Sequence, residues 1–306
     1  MAAAPPTDLV IRYPALTQWW ADRLAGAIAT CTPYSIDPNQ AIALPPFSWN
    51  THQWDVLASP LPLRLARTWG RSPQAVGDSL IEALTDTGAK QALQPHLWMH
   101  PEGWLYAQFP GAAWATWLQI LMASIPRLDR VDVPAITSGI STHPTLFQAQ
   151  YAHARSCSLL RLAQQERLIR LSEADSPRAN WIWPHPVPWQ TPAGHLYAQT
   201  EAEQQLLNAL MQFPQSLSAQ KTLYGHPHAP LSQPCTQLTR PLSETTLQRQ
   251  AQHWSALFLS LYSQCRMFGD TAPELAQSRL ALVFLTRRIL AFILQTLLQM
   301  EAPTAL

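Results

Sequence analysis

The sequence predicts a mainly α-helical protein in two parts: a small α+β domain over residues 1–125, followed by a C-terminal helical bundle over 145–306. Three observations point there. Apolar residues make up 47 % of the 306 residues and charged ones only 13 %, which suits two buried cores and excludes a disordered polyelectrolyte. In the second half, apolar positions recur at i, i+3 and i+4 through several segments. Between the halves, residues 126–144 carry Pro, Ser, Thr and Gly without a helical period and read as an interdomain linker.

Taken in order, residues 13–31 form a first helix with Pro14 in its first turn, followed by a Pro-rich loop over 37–50. The stretch 58–84 reads as two helices broken at Gly70, the second capped by Ser72 with Pro73 at its first position. Aromatic and aliphatic residues alternate around Gly103, as in a short strand pair, and 112–122 closes the domain as a helix. In the second half, Ala149, Ala152, Ser156, Leu159, Leu160 and Ala163 mark the buried stripe of an opening helix, with Tyr151, Arg155, Ser158 and Leu162 on a neighbouring stripe. Further helices are expected over 201–213 and 244–268. The last begins at "TAPE", with Thr271 as cap and Glu274 completing a capping box, and runs about 28 residues or roughly 40 Å. Proline keeps 176–192 and 214–241 from being continuous helices.

The net charge of +1 does not by itself point to a nucleic-acid or membrane partner. Residues 1–144 hold 8 basic and 10 acidic side chains, a net of −2, and 145–306 hold 12 and 9, a net of +3. Eighteen of the 20 basic residues are Arg. Cys31, Cys157, Cys235 and Cys265 form no C-x-x-C pair and read as reduced thiols of a cytoplasmic protein. His226, His228 and Cys235 lack a fourth ligand at a recognised spacing, so no metal is expected. No basic start followed by an apolar run opens the chain. The apolar stretch 280–300 contains Arg287 and Arg288, so it reads as a buried helix with one charged edge rather than a membrane span.

"QYAHARSCSLLRLA", residues 150–163, resembles the first helix of the DALR anticodon-binding domain of arginyl-tRNA synthetases. The similarity continues through "EAEQQLLNALMQFP" and "FLSLYSQCRMFG" to the C-terminal stretch ending "QMEAPTAL", spanning most of 145–306. More loosely, "LASPLPLRLARTWGRSP" and "EGWLY" resemble the N-terminal additional domain of those enzymes. The resemblance implies a bundle of the DALR type that binds tRNA. A synthetase of this class activates arginine in a nucleotide-binding domain set between these two modules. Here the 19 residues of 126–144 stand in that place, too few for a doubly wound α/β domain. No H-x-G-H occurs, and neither lysine lies in a KMSKS-like loop. The expectation is therefore a chain without catalytic residues or cofactor.

By resemblance, Tyr151 and Arg155 occupy positions that touch the anticodon region, and Tyr262 offers a second aromatic ring to the anticodon loop. A ring stacks on an unpaired base; a guanidinium stacks or binds phosphate. Against this, Tyr151 packing in the core and Arg155 in an intramolecular ion pair stays open, as does core packing of Tyr262. His153 is expected to make a structural hydrogen bond. Arg266, Arg279, Arg287 and Arg288 are candidate phosphate contacts or solvated helix arginines. Trp104 keeps an aromatic where the family reads the D-loop, but Tyr106 replaces an expected Asn, and a phenol cannot reproduce an amide's paired donor and acceptor. Leu306 replaces a terminal Met. Trp181, Trp183 and Trp189 form an aromatic, Pro-rich strip suited to a protein partner, or to folding back on the bundle. The expected function is non-catalytic binding of tRNA, in particular tRNA(Arg), with no membrane partner. The alternative is a synthetase-derived protein-interaction scaffold that has lost RNA affinity. An arginine–tRNA ligase acting alone is excluded on this reading.

Overall fold

The structure is a computed structural model describing residues 9–12, 16–31, 48–50, 53–85, 93–125, 139–172, 179–216, 235–238 and 243–306. These form two compact units that divide within one helix, at Trp117–Leu118.

The smaller unit sets helices against a four-stranded sheet. Helix α1 (Leu16–Cys31) precedes strands β2 (Ser48–Asn50) and β3 (Gln53–Ser59), following a first strand, β1 (Leu9–Arg12), that belongs elsewhere. Helices α2 (Leu61–Trp69) and α3 (Pro73–Thr85) come next, then β4 (His96–Met99), β5 (Leu105–Gln108) and α4 (Gly111–Ser124). The antiparallel sheet has the order β2-β3-β5-β4. The helix break at Gly70 is present: this residue caps α2 at φ +63°, a left-handed conformation costly to side chains with a Cβ. Ser72 accepts from the Ala75 amide at 3.2 Å as expected. The hairpin around Gly103 also forms. The Pro-rich loop assigned to 37–50 instead ends in β2, and β3 is a strand the sequence did not mark. Gly77 lets α3 lie directly on β4, since a Cβ there would stand 2.1 Å from the Met99 sulfur. Trp20, Phe109, Trp114 and Trp117 are almost fully buried, as are Leu24 and Leu80.

The larger unit is a helical bundle. Its helices are α5 (Pro144–Gln165), α6 (Glu201–Ser216), α7 (Glu244–Gln264) and α8 (Pro273–Ala291), the last continuing as a π-helical segment over Phe292–Leu297. A short hairpin pairs β6 (Arg170–Leu171) with β7 (Trp181–Trp183), and β1 pairs antiparallel with β8 (Cys235–Leu238). Strands β7 and β8 fall in the two segments that proline was expected to keep from being continuous helices. Ala149, Ala152, Ser156, Leu159, Leu160 and Ala163 are all buried, so the predicted inner stripe of α5 is correct. Helix α7 ends at Gln264, four residues short of the expected end.

Two expectations for the last helix fail. Its N-cap is Ala272, with no side-chain cap, because the Thr271 hydroxyl donates to the Phe268 carbonyl at 3.3 Å. The capping box lies instead at α6. There Thr200 Oγ1 accepts from the Glu203 amide at 3.3 Å, and the Glu203 carboxylate accepts from the Thr200 amide at 2.8 Å. Nor does the helix have a charged edge: Arg287 and Arg288 are each 1 % exposed. Residues Pro273–Leu297 are long and apolar enough to cross a membrane, yet 94 % of the most apolar stretch is buried inside the bundle, as for a core helix.

Candidate nucleic-acid interface

Helix α5 carries polar residues on two separate sides. At 100° per residue, Phe147, Tyr151, Arg155, Ser158 and Leu162 span about 80° of arc facing outward. Gln150, His153, Cys157, Arg161 and Gln164 occupy the other side.

The inner side holds the end of the chain. Gln150 is fully buried; its amide nitrogen donates to the carbonyls of Gly139 (3.0 Å) and Glu301 (2.9 Å), and its oxygen accepts from the Ser141 amide at 2.7 Å. Glu301 in turn accepts from the Gly139 amide at 2.8 Å. Arg161 donates to the Thr304 carbonyl at 3.0 Å. His153, also fully buried, places Nδ1 2.8 Å from the Pro303 carbonyl. A carbonyl only accepts, so Nδ1 carries a proton. Burial, reinforced by the nearby positive charges of Arg287 and Arg288, pushes this histidine down to about 4. The structural hydrogen bond expected of His153 is thus present.

The outer side has rings with no such partners. Tyr151 is 41 % exposed, which rules out the core-packing reading; Phe147 and Leu162 are comparably open. Arg155 donates to the Tyr262 hydroxyl of α7, and its guanidinium carbon lies 4.9 Å from that ring's centroid. That hydrogen bond raises the arginine's already high pKa, so the charge is permanent. Its partner is a phenol, not the carboxylate of an ion pair. Tyr262 is 37 % exposed and lies parallel to the buried Phe258, with ring centroids 6.2 Å apart. The structure therefore brings Tyr151, Arg155 and Tyr262 onto one face, with a fixed cation between two accessible rings. Beyond Leu162 the face opens into a depression of about 290 Å³ lined also by Glu166, Leu168, Met267, Phe268, Gly269 and Thr271.

The other arginine candidates separate sharply. Arg266 is exposed. Arg279 is not available to phosphate. Its Nε donates to Glu203 at 2.7 Å, and Nη1 donates to the Arg266 carbonyl at 2.8 Å, tying α8 to the α6 capping box and to the chain after α7. Arg287 donates to the Ala179 carbonyl at 3.0 Å and sits 5.3 Å from the Phe284 ring centroid. With Arg288 it lies in the core, so neither is a phosphate contact.

The tryptophan strip also divides. Trp189 is buried at 3 % exposure. Trp181 packs edge-on to Phe284 at 5.7 Å, its indole donating to the Pro184 carbonyl at 2.9 Å. Only Trp183 stands open, at 45 %. A continuous three-ring docking strip does not exist.

In the smaller unit, Trp104 is half-buried just before β5. The sheet carries a ladder that sequence reasoning missed. Trp98 stacks on Tyr106 at 5.4 Å and 15°, with His96 beside Trp98 and His100 beside Tyr106, each within 5.5 Å. Only the β4–β5 register, which sets Trp98 opposite Tyr106, reveals it.

Cys31, Cys157 and Cys265 are free, and burial pushes all three thiols up, away from the reactive thiolate. His226 and His228 lie outside the described residues. Among the described residues no three His, Cys, Asp or Glu side chains are grouped to hold a metal ion.

The DALR anticodon binding domain matches residues 149–306. The chain is 29 % identical over 171 residues to an arginine–tRNA ligase of Symbiobacterium thermophilum, covering 56 % of this chain and 24 % of that protein. It is 29 % identical over 189 residues to one of Moorella thermoacetica, covering 62 % and 27 %. The chain thus spans about a quarter of the length of the curated relatives it matches. No solved structure matches significantly. Tyr151, Arg155 and Tyr262 of the outer face and the C-terminal tail that holds the inner side of α5 fall within the matched span, which is more than half of the chain, and the chain belongs to the DALR anticodon binding domain family.

Proposed function

We propose that this chain binds tRNA through the outer face of α5 and α7, with tRNA(Arg) as its preferred ligand. One observation carries the reading: within the DALR match, an exposed Tyr151 and a Tyr262 held against Arg155 offer rings and a permanent cation together. Unpaired anticodon bases are gripped by that chemistry. The arginine–tRNA ligase relatives support the choice of tRNA(Arg). The Trp98–Tyr106 stack and half-buried Trp104 are suited to a second contact with an unpaired loop, read by stacking because Tyr106 lacks an amide edge.

The binding is proposed to be non-catalytic and cytoplasmic. The 19-residue stretch 126–144 is too short to hold a nucleotide-binding domain. ATP–pyrophosphate exchange by the purified chain would refute this part.

Filter binding at fixed salt, with tRNA(Arg) against unrelated tRNAs, tests the whole. Arg155→Ala is expected to weaken tRNA(Arg) binding about ten-fold, and Arg155→Lys to restore little, since an ammonium cannot both bond the Tyr262 hydroxyl and lie flat on its ring. Equal affinity for all tRNAs and no effect of Arg155→Ala would instead favour the scaffold reading, for which the exposed Phe147 and Leu162 are the supporting observation.

A further inference from the structure

A second surface lies at the C-terminal end of α5, off the aromatic stripe. Helix α5 ends in a Schellman turn: the Leu168 amide donates to the Ala163 carbonyl at 2.9 Å and the Arg167 amide to the Gln164 carbonyl at 3.1 Å. The residue this turn places in the left-handed region is Arg167, at φ +59°, where glycine is strongly preferred. An arginine held in such a conformation calls for a role of its own. Its neighbours supply one. Arg167, Arg170 and Trp183, with Gln164 and the buried Ile169, line an open depression of about 420 Å³.

The shelf is built in advance. Arg170 and Trp183 are directly opposite in the β6–β7 pair, so their side chains share one face of the hairpin. Gln164 accepts from the Leu171 amide at 3.0 Å, fastening β6 to α5. Trp181, two residues before Trp183, anchors β7 on Phe284.

We propose that this shelf is a binding site for a single-stranded RNA segment, with Arg167 and Arg170 meeting backbone phosphate and the Trp183 indole stacking on a base. An anionic peptide would occupy the two guanidiniums but give the exposed indole no counterpart; a nucleotide matches all three groups. The proposal extends the RNA-binding reading of the α5–α7 face and is separable from it.

The test uses the full chain and a fluorescein-labelled oligouridylate, followed by anisotropy at low salt. In the Tyr151→Ala/Arg155→Ala background, which disables the outer face, oligouridylate binding is expected to persist. Adding Trp183→Ala is expected to weaken it about ten-fold, and adding Arg167→Gly several-fold while the melting temperature stays level or rises. That last combination distinguishes the site from a structural role, because glycine relaxes the turn. Binding that survives both additions, or that is already lost in the double background, overturns the shelf without touching tRNA binding at the outer face. Polyglutamate binding at this surface in place of oligouridylate overturns it as well. Loss of tRNA(Arg) selectivity in the wild-type chain, with the shelf variants behaving as described, would defeat the anticodon reading alone.

Discussion

The two sides of α5 are made from similar residue types and do opposite things. Inward, Gln150, His153 and Arg161 are spent on the backbone of Glu301, Pro303 and Thr304, each donor meeting a carbonyl. Outward, Tyr151 and Arg155 have no backbone to satisfy; Arg155 meets only another side chain, Tyr262, itself half open to water. A buried polar group must find a partner or destabilise the fold, so the inner set is explained by stability alone. The outer set is not, and a function is needed for it. Polar residues on a helix are therefore sorted by what they meet, not by type.

The sharpest way to break this contrast is Gln150→Ala. It strands the Ser141 amide and the carbonyls it served, and should lower unfolding stability by about 3 kcal/mol in urea titrations. RNA affinity measured where the chain is folded should not move. Acid probes the same side. His153 is neutral in the fold at about 4, against an ordinary value near 6.5, so below pH 6.5 only the unfolded chain takes up its proton. Stability should fall as pH drops from about 6.5 to about 4, by up to about 3 kcal/mol, with full stability above that window. In His153→Gln that pH dependence should be absent from denaturation curves. Tyr151→Ala inverts the pattern, costing about 1–2 kcal/mol in tRNA affinity and less than about 0.5 kcal/mol in stability. A large stability loss there would erase the distinction between the sides. The smallest effect is Arg167→Gly, expected to stabilise by about 1 kcal/mol by relieving a left-handed arginine, read as a small rise in melting temperature.

Part of this contrast was legible in the sequence. The apolar stripe of α5 has helical spacing, Tyr151 and Arg155 fall off it, and His153 was expected to make a structural hydrogen bond. The roles of Gln150 and Arg161 were not legible there. Gly70, Ser72 and the hairpin at Gly103 are local signals, read from a few neighbouring residues. What failed depends on distance or on solvent. The pairing of Leu9–Arg12 with Cys235–Leu238 joins residues far apart in the chain, where no local pattern can announce it. The capping-box pattern occurs at both Thr200 and Thr271, and only Glu203's engagement with Arg279 marks the first as the one used. Arg287 and Arg288 were placed at a water-facing edge because charge ordinarily is; the partners that bury them come from elsewhere in the bundle. Trp181, Trp183 and Trp189 look alike in a Pro-rich string, yet the fold buries one, wedges one and frees one.

The fate of those arginines has a consequence for how an RNA would be gripped. With Arg279 held by Glu203 and Arg287 and Arg288 enclosed, Arg155 and the exposed Arg266 are what remain of the arginine candidates for the RNA-binding surface among the described residues. Few condensed counterions would then be released on association. The plot of log affinity against log salt should have a slope of only about −1 to −2. Attraction by stacked rings fades little as ions are added, so a surface of this kind would hold its ligand by fit and contact in conditions that strip proteins dependent on a broad cationic field.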